Sequence, residues 1–457
     1  MDYGVMSIVN KSEHNALQDA KQPASPHFGT KERGRLELTL VDVANTRVSV
    51  LLLAALAFSL PSVMLTGAGA SRVRDVVLVV CSLLAIFLSV RERKGWGGSF
   101  FIGFGLFAML SLLSLAWVMK FGIALGRLID LALAVLMGLA IALCSPTQRE
   151  IKCILNAFVF GTIIVSVACI RIDWATLSGW ARLGRTLFDS AGSNIIEYSC
   201  LLIYAQMYAA YRFISSKSRI LWCFAFLFLF ICGLLTGVRK TLVMPIVFIY
   251  VYLLIINRKN VIKILGVTLL AGVACAVIIF IVTNYFTSMG SRLLDMLNDI
   301  INGADAVSSG GSSFEERKWL RQVAWQAFRE NPVLGLGVGQ FRSYSVAHGG
   351  PDVYAHNNFL ELLANSGIVG FGLYYGAIAL MIRDYWRDLA VGDEEHSCFC
   401  AFCVAFVVSI LVMEYGQVDY YQPHFLLFPF LMSAFVQSPK SWGRAGYFGL
   451  GRKERLQ

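Results

Sequence analysis

Charge is scarce in this sequence. Only 15% of the 457 residues are Asp, Glu, Lys or Arg, while 57% are hydrophobic. Charge so thin over that length excludes a water-soluble globule. The short alternating segments of a transmembrane barrel are also missing, because the apolar runs are continuous. None of the eleven cysteines falls in the long polar stretch 284–355, which excludes a disulfide framework there. Cys398, Cys400 and Cys403 crowd together, but helical spacing spreads them around the cylinder, and they read as small apolar residues in a span. Carboxylates with metal-ligand spacing and Asp-x-Asp patterns are absent from the polar loops, so neither a metal nor another cofactor is expected. No small-residue cleavage pattern follows the first apolar run, which is therefore expected to stay as an anchor.

What is present is a series of apolar runs. About 20 mostly apolar residues cross a bilayer as a helix, and only helices or closed barrels satisfy every backbone group there. The expected fold class is an all-α integral membrane protein with about twelve transmembrane helices. They lie near 47–67, 74–91, 99–119, 122–144, 152–171, 194–213, 219–237, 240–257, 261–283, 357–382, 396–415 and 422–437. The chain divides into a disordered cytoplasmic tail (1–46), nine helices (47–283), an extracytoplasmic loop (284–355), three helices (356–437) and a second tail (438–457). More than half of the 39 Lys and Arg sit in the tails and short loops that face inward when the N-terminus is cytoplasmic. The net charge of +10 then lies beside inner headgroups, which explains it without nucleic acid. A twelve-helix secondary transporter would show two similar halves with midplane charges. Nine helices, a long loop and three more do not divide that way.

The loop has structure of its own. Phe314–Glu330 places Trp319, Leu320, Val323, Ala327 and Phe328 on one stripe with charges opposite, an amphipathic helix that Asn331-Pro332 ends. It is expected to lie on the membrane surface or to cap the bundle. Gly335, Gly337 and Gly339 follow without the strand that a dinucleotide fingerprint needs, so they read as a tight turn back to the membrane. Several arginines belong to the same side: Arg182 and Arg185 in the loop before Asn194, Arg239 in the tight turn 236–240, and Arg317 and Arg321 on the amphipathic helix. Arginine grips phosphate with forked bonds and keeps its charge in a low dielectric. Arg239 has almost no loop to carry it into water, which marks it as functional. His356 opens the tenth helix, beside Tyr354 and before Asn357, and an imidazole there can take a proton near neutral pH. Glu361, five residues on, is expected on another face, and His348 in a Gly-rich stretch looks less constrained. Arg127 and Asp130 form an i,i+3 pair read as structural, and Glu197 and Glu414 are unranked acids near helix ends.

The run FEERKWLRQVAWQAFRENPVLGLGVGQF followed by YAHNNFLELLANSGIVGFGLYY resembles the bacterial O-antigen polymerase and O-antigen ligase family. LLTGVRKTL is similar to that family's small-residue–Arg turn, at Arg239, and RTLFDSAGSN to its earlier Arg-to-Asn segment, at Arg185 and Asn194. The last segment lacks the usual glycine and Pro-Asn, and Arg182 stays an alternative to Arg185. The resemblance covers about 180–380 and implies a glycan transferase of the bacterial inner membrane. Its donor would be an undecaprenyl-diphosphate-linked oligosaccharide on the periplasmic face. Its acceptor would be a growing glycan for a polymerase, or lipid A core for a ligase. A flippase and a chain-length regulator would be its partners. On this reading His356 and Arg239 are catalytic, and Arg185, Arg317, Arg321 and Asn357 bind the diphosphate or glycan.

Overall fold

A computed structural model describes residues 47–62, 68–90, 98–177, 183, 195–285, 311–390 and 394–436. The cytoplasmic tails expected at either end lie outside the described residues, as do Arg182, Arg185 and Asn194. Fourteen α-helices and no strand are found among the described residues. They are α1 Val48–Ser62, α2 Ala68–Ser89, α3 Ser99–Leu113, α4 Phe121–Cys144, α5 Gln148–Leu177, α6 Ile195–Ser215 and α7 Arg219–Thr236. There follow α8 Lys240–Ile256, α9 Val261–Tyr285, α10 Gly311–Glu330, α11 Phe341–Ala347, α12 Asn358–Asp388, α13 Glu394–Glu414 and α14 Pro423–Val436.

Each of the twelve apolar runs carries a helix, and α10 and α11 belong to the long loop. Among the described residues, six helices are long and apolar enough to cross a bilayer: α3, α4, α5, α7, α12 and α13. Another four, α1, α8, α9 and α14, are apolar but give shorter stretches. The remaining two are more polar. α2 carries Arg72, Arg74 and Asp75 in its first turns. α6 is buried by protein from Tyr198 to Tyr211 and carries Glu197, Gln206 and four tyrosines. Tyr204 packs edge-on against Phe406 of α13 and Phe425 and Phe428 of α14, and Tyr208 against Trp222 of α7 and Phe402 of α13. The edge-to-face geometry is the one the ring quadrupole favours. Its interior supports OH groups because they find partners: Tyr198 donates to Ser166 Oγ at 2.7 Å and Tyr208 to the Lys152 carbonyl at 3.1 Å.

Helix ends sort into two sets. Ion pairs join Arg47 to Glu150 and Lys152 to Glu395, both at 2.8 Å, and Arg258 reaches the Leu389 carbonyl, so these residues share one end. The other end gathers the α3–α4, α7–α8 and α13–α14 connections with the start of α12, and it is where the long loop docks.

That docking depends on a break in α12. Gly367 has φ 61° and ψ −167°, a conformation open in practice only to glycine. The backbone groups freed at the break are taken by the segment after α10. Ile368 N donates to Pro332 O, while Leu336 N and Gly337 N donate to Ala364 O and Asn365 O, all at 2.9 Å. Non-helical backbone inside a bundle is tolerated when protein satisfies it in this way. Gly335 has φ 69° and lies against Asn365, where a Cβ would come within 2.5 Å of backbone. The turn expected at 335–339 is therefore a plug seated in the broken helix.

α10 packs through its apolar stripe. Its stripe Leu320, Val323, Ala324 and Ala327 is buried with Phe341, Tyr344, Ala355 and Ala364 in a separate small core. Trp319 packs at the edge of that core, while Trp325 is exposed. Tyr344 of α11 donates to Glu330 at the end of α10 at 2.6 Å, bracing the two loop helices. The plug also reaches α3 and α4: Trp117 Nε1 donates to Gly335 O at 3.2 Å and Lys120 N to Gln340 Oε1 at 2.8 Å.

Candidate active site

The α7–α8 turn is built by sequence. Gly237 takes φ 67°, which closes α7, and its N–H donates to the Leu234 carbonyl. Two residues later α8 begins, with Arg239 at its N-cap and Lys240 as its first residue. A helix start leaves backbone N–H groups unpaired and carries positive partial charge, so two cations placed there make an anion-attracting corner. Arg239 is half-buried. Lys240 Nζ donates to the Gly416 carbonyl at 2.8 Å and to Gln417 Oε1 at 3.3 Å, tying this corner to the α13–α14 connection. Leu183, buried and two residues from Arg185 in sequence, donates its N–H to the Leu235 carbonyl at the end of α7.

His356 stands just before α12, next to its N-cap Asn357. It is one of two non-glycine residues with positive φ among the described residues, at 53°. Local strain of this kind is retained where the surroundings hold it, often at functional sites. Its ring lies 4.2 Å from that of Tyr354. Burial, and then the positive charges of Arg317, Lys240 and Arg321, push its pKa down to about 4. The imidazole is therefore neutral at pH 7 and can accept a proton.

The charges that act on His356 come from two elements, Lys240 of α8 and Arg317 and Arg321 of α10. Arg321 lies over the Tyr415 ring at 4.8 Å and donates to its OH at 3.5 Å, while its buried Nε has no hydrogen-bond partner. Arg317 is exposed. Asn357 is the N-cap of α12: its Oδ1 accepts from Leu360 N at 3.0 Å, and the residue is buried. Glu361, expected on another face, instead turns back to the loop and accepts from Ala355 N at 2.7 Å. An acid at the first turn of a helix is drawn to orphan N–H groups, and here it fixes the residue just before His356.

The sequence did not reveal Asp419, the acid whose charge acts on Lys240, and left Glu414 unranked. Asn358 Nδ2 donates to Tyr375 OH at 2.8 Å, and Tyr375 OH donates to Glu414 Oε2 at 2.8 Å. Asn358 Oδ1 accepts from Asp419 N at 3.0 Å. Burial pushes the Asp419 carboxyl up to about 6, with Glu414 as its close neighbour and Lys240 as the nearest opposing charge. Both oxygens of the Asp419 carboxyl are buried and make no hydrogen bond. The sequence signal was the pair Asn357-Asn358 at a helix start. Only the structure shows that the first caps the helix and the second bridges to residues 419 and 420.

Arg127 and Asp130 pair at 3.3 Å, as their spacing predicted, and Arg127 also lies over Tyr421 at 4.1 Å. Of the residues selected from the sequence, Arg239, Arg317, Arg321, His356 and Asn357 gather at one end of the bundle.

The family described as O-Antigen ligase matches residues 224–375. That stretch includes Arg239, Lys240, Arg317, Arg321, His356 and Glu361, and leaves out Glu414 and Asp419. No curated protein matches the chain. The match supports the O-antigen ligase and polymerase family and a glycan-transfer enzyme of that type. Together with the apolar helices it points to a multi-pass membrane protein.

Proposed function

We propose that this chain is an inner-membrane glycan polymerase with about twelve crossings and both termini cytoplasmic. It moves an oligosaccharide from undecaprenyl diphosphate onto a growing polysaccharide at the periplasmic face. The observation that carries this reading is the neutral imidazole of His356 in the field of three cations from two elements, with Arg239 at the helix start of Lys240. Such an arrangement suits a leaving group with two phosphates and an attacking hydroxyl that must lose a proton.

In this mechanism the acceptor hydroxyl oxygen bonds to the anomeric carbon of the donor. The bond from that carbon to the diphosphate oxygen breaks, and undecaprenyl diphosphate departs with the electron pair. Arg239, Lys240, Arg317 and Arg321 stabilise the charge that develops there, a preorganised electrostatic role worth more in a dry site than in water. His356 takes the hydroxyl proton. The bound diphosphate also neutralises the cations that depress the imidazole, so the donor itself raises the basicity of His356. The Asn358 bridge and the Glu361 contact hold the loop on which His356 stands.

The second reading, a ligase that hands the glycan to lipid A core, is favoured by the description of the matched family. Purified protein supplied with lipid-linked repeat units alone decides between them. Chain lengthening in that mixture is expected; product formed only after lipid A core is added would replace polymerase with ligase. No product with either acceptor would end both readings.

A further inference from the structure

At the opposite end of the bundle, three potential ligands meet where α12 finishes and α13 begins. A carboxylate oxygen of Asp388, a ring nitrogen of His396 and Sγ of Cys400 all lie within 4.8 Å of one another. His396 Nε2 stands 3.7 Å from Asp388 Oδ2, too long for a hydrogen bond. That oxygen is buried and has no hydrogen-bond partner. His396 and Cys400 are four residues apart on α13, so their side chains share a face on adjacent turns. Cys400 is fully buried, and the His396 ring packs beside Phe435 of α14 at 5.1 Å between centroids.

We propose that Asp388, His396 and Cys400 bind a divalent transition-metal ion of zinc's class. One nitrogen, one sulfur and one oxygen suit an ion of borderline softness. Bond lengths of about 2.0–2.3 Å in a tetrahedral zinc site put its ligands roughly 3–4 Å apart, so a small contraction closes this set. The fourth position falls to water. A thiolate and a carboxylate together balance the double charge, and the ion resolves the otherwise unsatisfied oxygen of Asp388. The site staples the far end of α12 to α13, about 45 Å of helix from His356 if α12 were straight. It does not depend on the glycan-transfer reading.

Cobalt(II) tests it. Full-length protein in detergent, stripped with a chelator, is titrated with cobalt. The expected spectrum has a near-ultraviolet thiolate-to-metal band and the visible bands of tetrahedral cobalt, saturating at about one ion per chain and displaced by zinc. C400S should remove the near-ultraviolet band, D388N and H396A should weaken binding at least tenfold, and C403S should leave the spectrum unchanged. A wild-type spectrum without the thiolate band, or a band that survives C400S, would overturn the proposal and leave only an ion pair between His396 and Asp388.

Discussion

His356 is where the chemistry concentrates, and its neutral state sets a specific pH dependence. A folded-state pKa of about 4, below the ordinary value, means that the free enzyme loses its proton acceptor only as pH falls through that region. With a donor bound, the cations are offset and the imidazole becomes more basic. The acid limb of kcat should therefore lie at higher pH than that of kcat/KM, as measured by steady-state transfer assays across pH 3.5–8 with about half-unit steps. Coincident limbs would remove the coupling between diphosphate and imidazole. Lys240→Met should lower kcat/KM by about 10²-fold, the usual cost of losing one preorganised donor. If the lysine only braced the α13–α14 connection, the variant would lose thermal stability while the folded fraction kept its rate. Sequence reasoning reached Arg239 and passed over the lysine next to it. A single lysine at a helix start is common, and its importance here comes from Gly416 and Gln417, which lie far away in the chain. Asp419 was missed, and Glu414 left unranked, for the same reason: their meaning comes from Asn358 and Tyr375, not from their own neighbours.

At the level of elements, periodicity revealed more than local chemistry did. The stops of α7 and α10 and the start of α8 were legible because Gly237 and Asn331-Pro332 punctuate long regular runs. The break at Gly367 was not legible, since Asn365-Ser366-Gly367 reads as a tolerable interruption in an apolar helix. Its cause is tertiary: the 332–337 segment supplies the hydrogen bonds that the helix gives up. Gly367→Ala would place a methyl group 2.2 Å from Val333 O in a backbone conformation that alanine avoids. The expected cost is on the order of 1–3 kcal/mol for the backbone alone, read as a lowered midpoint in a thermal-shift assay with loss of transfer, because the plug carries α10 and its arginines. A control at Gly372, where an added Cβ meets nothing within 4 Å, should keep both midpoint and activity. Equal damage at the two positions would show that the plug is not what Gly367 serves.

For the molecule as a whole, low charge and continuous apolar runs gave the class, while six of the helices are long and apolar enough to cross a bilayer among the described residues. α6 scores as a span because tyrosine and alanine are apolar enough in a window, yet it meets protein on every side from Tyr198 to Tyr211. The proposed orientation puts Arg239 and His356 on one side of the membrane and Asp384 on the other. Single cysteines at 353 and 384 in a cysteine-free background should be labelled by a membrane-impermeant maleimide from opposite sides of sealed vesicles. Labelling of both from the same side would refute the orientation. The enclosure of α6 has a further bearing on synthesis. Its partners α7, α8, α13 and α14 are translated later, so lipid must hold a segment rich in hydroxyl and amide groups until they arrive. Chains halted by a stop codon before α13 would strand that segment without its companions, which makes them natural targets for membrane quality-control proteases.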